Sequence, residues 1–216
     1  MSERRRVAVL VSGAGSNLAA LIAAAAAPNH PAVVVLVVSN RRDCGALAIA
    51  AQHGIATLSL PVVDFGNDAA ARDRAMVDAL RAARVDLVVC AGYNRVLSDQ
   101  VLTAYPNAIL NVHPSLLPAF AGGMHAVEDA LAAGVTITGC TVHLLAAGAV
   151  DAGPIVLQAA VPVEEGDDAE TLCSRIHAQE WRILPQAVEL WASGRLHVRD
   201  GRVQIAPAPQ VAGRAH

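Results

Sequence analysis

Continuous apolar runs alternate with helical patterns through the first half of the chain. Three runs rich in β-branched residues read as buried strands: RVAVLVS, AVVVLVVSN and DLVVCAGYN. The segments between them have helical composition and period: LAALIAAAAA, DCGALAIAAQHG and DAAARDRAMVDALRAAR. Strands that are apolar on both faces and separated by helices are typical of a parallel sheet covered on both sides. The first half is therefore predicted to be a doubly wound, mononucleotide-binding unit.

The pattern changes after the segment AILNVHPSLLP. A short helix around HAVEDALAAG precedes two alternating strands, VTITGCTVHLL and GPIVLQAAVPV, which are close enough in sequence to pair antiparallel. A long helical pattern follows, and Pro185 predicts a kink or a split within it. We therefore predict an α/β fold with a doubly wound, Rossmann-like, mostly parallel sheet and an antiparallel C-terminal part. The alanine- and proline-rich end of the chain has no apolar period and is predicted to be disordered.

Composition and charge favour small-molecule chemistry. The chain has 216 residues, a hydrophobic fraction of 54% and a formal net charge of -3, which gives no reason to expect nucleic acid or a membrane surface as partner. No apolar stretch is long enough to span a bilayer. The cysteines are isolated from one another and lack the spacing of zinc or redox sites, so we expect buried thiols in a reducing cytoplasm: Cys44, Cys90, Cys140 and Cys173.

The first candidate for chemistry is the turn Gly13-Ala14-Gly15-Ser16-Asn17. Glycines allow a ligand to approach the backbone, and the helix that follows directs its free amides and positive dipole end toward that point. An anion such as a phosphate is the expected guest. The pattern is neither a Walker loop nor a full dinucleotide fingerprint, so a tight turn capped by Ser16 or Asn17 is the alternative.

A second candidate is the pair Asn111 and His113, which interrupts an apolar strand. Residues two apart in a strand face the same side, and these two stand at the carboxyl end of a strand, where open α/β sheets bind ligands. An amide donor beside an imidazole suits a reaction that develops negative charge on a carbonyl oxygen. The alternative is a histidine that only caps the strand end.

Asp151, in VDAGPIV, is the third candidate. A carboxylate near His113 would keep the imidazole protonated or fix its tautomer. Taken alone, an aspartate before Ala-Gly-Pro is more often a turn residue.

Five segments in this order resemble the phosphoribosylglycinamide formyltransferases: VLVSGAGSNL, VVCAGYNRVLS, NVHPSLLPAF, TGCTVHLL and VDAGPIVLQAAVPV. The resemblance runs from about Arg6 to about Val198. It implies a single formyltransferase domain at 1–198, with a mononucleotide-binding half at 1–105 and a catalytic and folate-binding half at 106–198. Residues 199–216 are predicted to be a disordered tail.

The resemblance also implies a reaction and its residues. The formyl group of 10-formyltetrahydrofolate would pass to the amine of glycinamide ribonucleotide, in purine biosynthesis, without a metal. The implied roles are catalysis by Asn111, His113 and Asp151, phosphate binding by Gly13, Ala14, Gly15, Ser16 and Asn17, ribose binding by Glu180, and folate binding by Tyr93, Arg95, Val96 and Leu97. His143 would contact the catalytic residues without contacting the substrate. The implied protein is a cytoplasmic monomer or homodimer that binds neither nucleic acid nor membrane.

The chain departs from the family pattern at four places. Asp68 stands where a phosphate-binding arginine is common, and Arg72 or Arg74 would have to substitute for it. The loops FAGGMHAV and HLLAAGAVD each look one residue longer than usual, and Trp181 follows Glu180 where a histidine or arginine is usual. These differences concern substrate affinity more than the type of reaction.

Three alternatives stay open. A formyltetrahydrofolate hydrolase would use the same three residues, but its relatives carry a regulatory domain for which there is no room before Arg6. A formyltransferase acting on a sugar or a transfer RNA would share the catalytic block without the Ser-Asn loop. An inactive folate- or nucleotide-binding relative is the third alternative.

Overall fold

A seven-stranded sheet forms the centre of the molecule, in the order β3-β2-β1-β4-β5-β6-β7. The computed structural model describes residues 3–148 and 150–208. The strands of the sheet are β1 (Arg5–Val11), β2 (Ala32–Ser39), β3 (Ala56–Ser59), β4 (Leu87–Cys90), β5 (Ile109–His113), β6 (Ile137–Leu144) and β7 (Ile155–Pro162). Strands β1 to β5 pair in parallel, whereas β6 is antiparallel to both of its neighbours. The predicted fold class, mostly parallel with an antiparallel C-terminal part, is confirmed.

Helices cover both faces of the sheet. They are α1 (Ser16–Ala25), α2 (Gly45–Gln52), α3 (Ala69–Ala82), α4 (Asp99–Ala104), α5 (Ala126–Ala132) and α6 (Ala169–Ala192), with a short 3-10 helix at Val62–Phe65. None of the helices in the described residues is long and apolar enough to cross a membrane.

Alternate residues of β1 belong to two separate cores. Val7 and Val9 pack into the core that contains α1 and α6, whereas Ala8 and Leu10 pack into the one that contains α3. Because both faces of the strand are buried, side chains on both faces are apolar. This explains the unbroken apolar run in its sequence.

The order of the strands defines where a ligand can bind. From β1 the chain continues to β2 and β3 on one side of β1, and then crosses to β4 on the other side. The sheet therefore changes winding direction between β1 and β4. A crevice forms at the carboxyl ends of strands at such a switch point. Two of the predicted segments lie at this edge: the loop 12–15 after β1, with the first residues of α1, and the loop 91–98 after β4.

The structure differs from the sequence-based prediction in its C-terminal elements. Helix α6 continues through Pro185, so it is not split there, and the alternative of a kink at Pro185 stays a prediction. Residues 199–205 are not a disordered tail, because β8 (Leu196–Arg199) and β9 (Arg202–Ile205) form a hairpin. Its turn is Asp200–Gly201, a strong hairpin signal between alternating residues. Residues 209–216 of the predicted tail lie outside the described residues.

Candidate active site

The side chains of Asn111, His113 and Asp151 line one open cleft with a volume of about 510 Å³. Asn111 and His113 lie on β5, two residues apart, as their spacing predicts. Asp151 comes from the turn between β6 and β7. The antiparallel pairing of β6 with β5 therefore brings together residues that are about 40 positions apart in sequence.

Asp151 is held in place by its backbone and by its carboxylate. Its φ is 56°, in the left-handed region that aspartate tolerates better than most residues. Two residues on, Gly153 passes so close to β6 that an added Cβ would lie 1.8 Å from the Leu144 carbonyl oxygen. The Gly122 amide donates to the Asp151 Oδ2 at 2.9 Å. This turn can therefore adopt few alternative positions.

The Asp151 carboxylate bridges two histidines. Oδ2 lies 3.4 Å from His113 Nδ1, and Oδ1 lies 3.5 Å from His143 Nε2. The hydrogen bond with His143 is the main cause of a lowered Asp151 pKa; the Gly122 amide and the charges on both histidines act in the same direction, and burial opposes them. The carboxylate is thus ionised at neutral pH and can receive or orient protons at the imidazole.

Asn111 contacts the second histidine. Its Nδ2 lies 3.0 Å from His143 Nε2, and His143 Nδ1 lies 3.2 Å from the Leu144 carbonyl oxygen. His143 Nε2 can accept from Asn111 only while it is unprotonated and can donate to Asp151 only while it is protonated, so it serves one partner at a time. The Asn111 amide nitrogen carries two hydrogens, and the one not directed at His143 stays available to an oxygen in the cleft. His143 is fully buried and acts on the cleft only through Asn111 and Asp151.

His113 can donate through both ring nitrogens. Nε2 lies 2.9 Å from the Phe120 carbonyl oxygen, and Nδ1 faces Asp151. An imidazolium between two oxygen acceptors can release either contact to a substrate oxygen. The predicted proton donor therefore lies beside the predicted amide donor.

The glycine turn opens α1 and meets α6. Gly15 is the residue before the helix, with a φ of 92° and no side-chain cap on the first turn. Ser16 and Asn17 therefore do not cap the helix, and its first amides are left to another acceptor. Asn17 Nδ2 instead donates to Glu180 Oε2 at 2.7 Å, within buried surroundings. The predicted phosphate-binding and ribose-binding residues thus lie in contact.

The buried Glu180 carboxyl has a shifted pKa. Its pKa is raised, mainly by burial, and the Asn17 hydrogen bond and the charges of His177 and His113 oppose that shift.

The predicted folate segment lines the same cleft as the catalytic residues. All four of its residues face the cleft: Tyr93, Arg95, Val96 and Leu97. Val96 is 72% exposed, whereas Leu97 is buried. Burial raises the pKa of Tyr93 to about 12, and within the described part of the chain its hydroxyl has no hydrogen-bond partner.

Of the two arginines that could replace the phosphate-binding arginine expected at position 68, Arg72 is ruled out by the structure. Asp68 caps α3 by accepting from the Ala71 amide. Arg72 is buried and bound to Asp73, so it cannot reach a ligand at the surface. Arg74 is exposed and lies 3.8 Å from Asp68. Trp181 is partly exposed and stacks on His177, with ring centroids 6.3 Å apart.

The cysteines are all unpaired thiols. Burial raises the pKa of Cys90 and of Cys140 to about 12, which keeps both protonated and unreactive. Over residues 3–148 and 150–208, no cluster of three histidine, cysteine or acidic side chains could hold a metal ion.

Comparison with known proteins places the chain in a family. The model of the family described as "Formyl transferase" matches residues 5–188 of this chain. A phosphoribosylglycinamide formyltransferase of Mycobacterium tuberculosis is 46% identical over 87% of this chain and 85% of its own length. The trifunctional purine biosynthetic protein adenosine-3 of Bos taurus is 44% identical over 93% of this chain, which spans only 20% of that protein.

Solved structures agree with the sequence comparison. The crystal structure of glycinamide ribonucleotide transformylase 1 from Symbiobacterium toebii has a TM-score of 0.91 and 45% identity, and the match covers 96% of each chain. The chain therefore belongs to the formyl transferase family.

Proposed function

We propose that this protein transfers the formyl group of 10-formyltetrahydrofolate to the amine of glycinamide ribonucleotide, a step of purine biosynthesis. The observation that carries the proposal is the cluster of Asn111, His113 and Asp151 on the wall of one cleft. Relatives that bear the name of this activity share almost half of the sequence. The cytoplasmic location and the monomeric or dimeric state stay predictions.

The two substrates would enter from different sides of the catalytic cluster. The glycine turn and Glu180 would hold the phosphate and ribose of the nucleotide, because unpaired amides at a helix start suit an anion and a carboxylate suits hydroxyl groups. The segment from Tyr93 to Leu97 would contact the folate within the cleft. The folate is a substrate in this scheme and no metal takes part.

The chemistry follows from the positions of the three side chains. The substrate amine attacks the formyl carbon, a carbon–nitrogen bond forms, and the formyl oxygen becomes an oxyanion. The free N–H of Asn111 and the protonated His113 stabilise that oxyanion. The amine loses a proton to a water oriented by Asp151, the bond from the formyl carbon to the folate nitrogen breaks, and that nitrogen takes up a proton.

A spectral assay of folate deformylation tests the proposal when it is run with and without glycinamide ribonucleotide. We expect turnover that requires the nucleotide. Turnover at the same rate without it would identify a hydrolase, and no turnover with tight folate binding would identify a binding protein.

Asp151→Asn tests the mechanism, since the amide keeps the shape of the side chain and loses its charge. We expect kcat to fall by about a hundredfold or more, as for loss of acid-base assistance, with little change in nucleotide affinity. Asn111→Ala should cost about a hundredfold to a thousandfold. If Asp151→Asn retains most of the activity, Asp151 is only a turn residue and the proposed proton path is wrong.

A further inference from the structure

The loops that follow β1, β2 and β4 are joined by a chain of side-chain hydrogen bonds at the carboxyl edge of the sheet. Ser12 Oγ donates to Asn40 Oδ1 at 2.7 Å and accepts from the Asn94 amide at 3.0 Å. Asn40 Nδ2 donates to Asn94 Oδ1 at 2.9 Å. The three residues thus close a ring of contacts between segments that are 28 and 54 residues apart in sequence.

The members of this ring adjoin both proposed ligand sites. Ser12 immediately precedes the glycine turn, and Asn94 lies within the segment that lines the cleft. Ser12 is buried and Asn40 is half-buried, and neither lines the cleft itself. Their hydrogen bonds are therefore satisfied by one another and are not reserved for a ligand.

The C-terminal end of the predicted folate segment is held by a residue of helix α3. Asp73 Oδ2 accepts from the Ser98 amide at 3.0 Å, and its Oδ1 is bound to Arg72. Between these two anchors, Arg95 and Val96 are exposed. The segment is therefore a short span held at both ends, and only the Asn94 end connects to the glycine turn.

We propose that Asn40 is a positioning residue that, through Ser12 and Asn94, fixes the glycine turn and the folate segment relative to each other. The identity of the two ligands rests on the proposed function, whereas the coupling of the loops rests on the hydrogen bonds alone. Asn40 bonds to a residue of each loop, so its loss disturbs both sites although it lines neither. The three catalytic side chains have no hydrogen bond to this ring, so their chemistry is affected only through substrate placement.

Hydrogen exchange of the ligand-free protein tests the coupling without any assumption about activity. In Ser12→Ala the Asn94 amide loses its acceptor, and in Asn40→Ala both neighbours lose a bond. We expect exchange about threefold to tenfold faster in both variants at the Asn94 amide and at the Ala19 and Ala46 amides, which donate to the carbonyls of the glycine turn, as for loss of one net hydrogen bond. The matched control is Ser59→Ala, whose hydroxyl donates to the Arg41 carbonyl on the same loop as Asn40. That control should leave exchange at these amides unchanged.

Steady-state kinetics then test the consequence for binding. We expect Asn40→Ala to raise the KM for the nucleotide and the KM for the folate together, each by about threefold to tenfold, with kcat within about twofold of the wild type. A wild-type exchange rate at the Asn94 amide in Asn40→Ala would overturn the inference whatever the protein catalyses. Faster exchange with only one KM altered would also overturn it, because the two sites would then be independent. If the wild type transfers no formyl group, the proposed function fails, and the exchange data still decide whether the loops are coupled.

Discussion

Glu180 is a carboxyl group kept in surroundings that disfavour its charge. It is 4% exposed and bound to Asn17, and burial raises its pKa. The folded protein therefore binds a proton more readily than the unfolded chain in the window above the ordinary carboxyl pKa. Stability falls as the pH rises through that window, and the cost remains in full above it.

Glu180→Gln should remove this cost, since the amide has the same shape and stays neutral. We expect the melting temperature of the variant to exceed that of the wild type at about pH 7 and the difference to shrink toward about pH 4. The matched control is Glu189→Gln on the exposed side of the same helix, for which we expect no such trend. A melting-temperature difference that does not change with pH would show that folding does not raise the pKa of Glu180. Binding of the nucleotide should weaken in the same variant, as a trade of function for stability.

Gly13 and Gly15 have different physical reasons to be glycine. A Cβ on Gly13 would have no atom within 4 Å, whereas a Cβ on Gly15 would lie 2.7 Å from the Ala46 Cα at a φ of 92°. Gly13→Ala should therefore leave stability within about 0.5 kcal/mol of the wild type and raise the KM for the nucleotide about tenfold, because the methyl group occupies the space of the phosphate. Gly15→Ala should lower stability by about 1–3 kcal/mol. Denaturant titration and kinetics check both variants; an unchanged nucleotide KM in Gly13→Ala would place the phosphate elsewhere.

The candidate site was only partly predictable at the scale of residues. Asn111 and His113 share a side because strand geometry has a fixed period, and this follows from sequence. The approach of Asp151 to His113 depends on how a loop packs under β6, so the sequence could suggest it only through resemblance. The ring of Ser12, Asn40 and Asn94 has no local signal, because its members are distant in sequence and of ordinary type.

At the scale of elements, a long apolar face can override a local helix breaker. Helix α6 runs for 24 residues and buries its apolar side against the sheet, so packing maintains it through Pro185. The hairpin β8–β9 is the converse case: its Asp-Gly turn and alternating residues are visible in the sequence, and the polar and proline-rich neighbourhood obscured them. The edge strand β3 is short and half-exposed, and its pattern is too brief to predict it.

Pro185→Ala tests how much stability the proline costs helix α6. The proline cannot donate a backbone hydrogen bond and costs about 3 kcal/mol relative to alanine in a helix interior, but it also contributes packing beside Val188. We expect a net gain of about 1 kcal/mol in the free energy of unfolding, measured by denaturant titration. Gln186→Ala, at the exposed neighbouring position, is the control and should change stability by less than about 0.5 kcal/mol. A loss of stability in Pro185→Ala would mean that the ring packing outweighs the backbone cost.

For the whole molecule, the continuous sheet argues against independent halves. The predicted boundary between residues 105 and 106 falls between α4 and β5, yet β5 pairs directly with β4, and one core contains Val7 and Val9 of the first half together with Leu110 and Ile183 of the second. Separation at this boundary would expose an unpaired strand edge and buried apolar surface. We therefore expect residues 1–105 and 106–198 to unfold as one unit.

One local probe and one global probe can test this cooperativity. Trp191 donates its ring N–H to the Asn107 carbonyl at 2.8 Å and becomes the single tryptophan in Trp181→Phe, since the chain has two. Its fluorescence reports on the second half, whereas far-ultraviolet circular dichroism reports on all helices and strands. We expect the two thermal transitions to coincide, and a saturating folate ligand at about a hundred times its Kd to shift both by the same amount, equivalent to about 2.7 kcal/mol. Transitions at different temperatures, or a ligand shift seen by one probe alone, would mean that the halves are separate cooperative units despite their shared sheet.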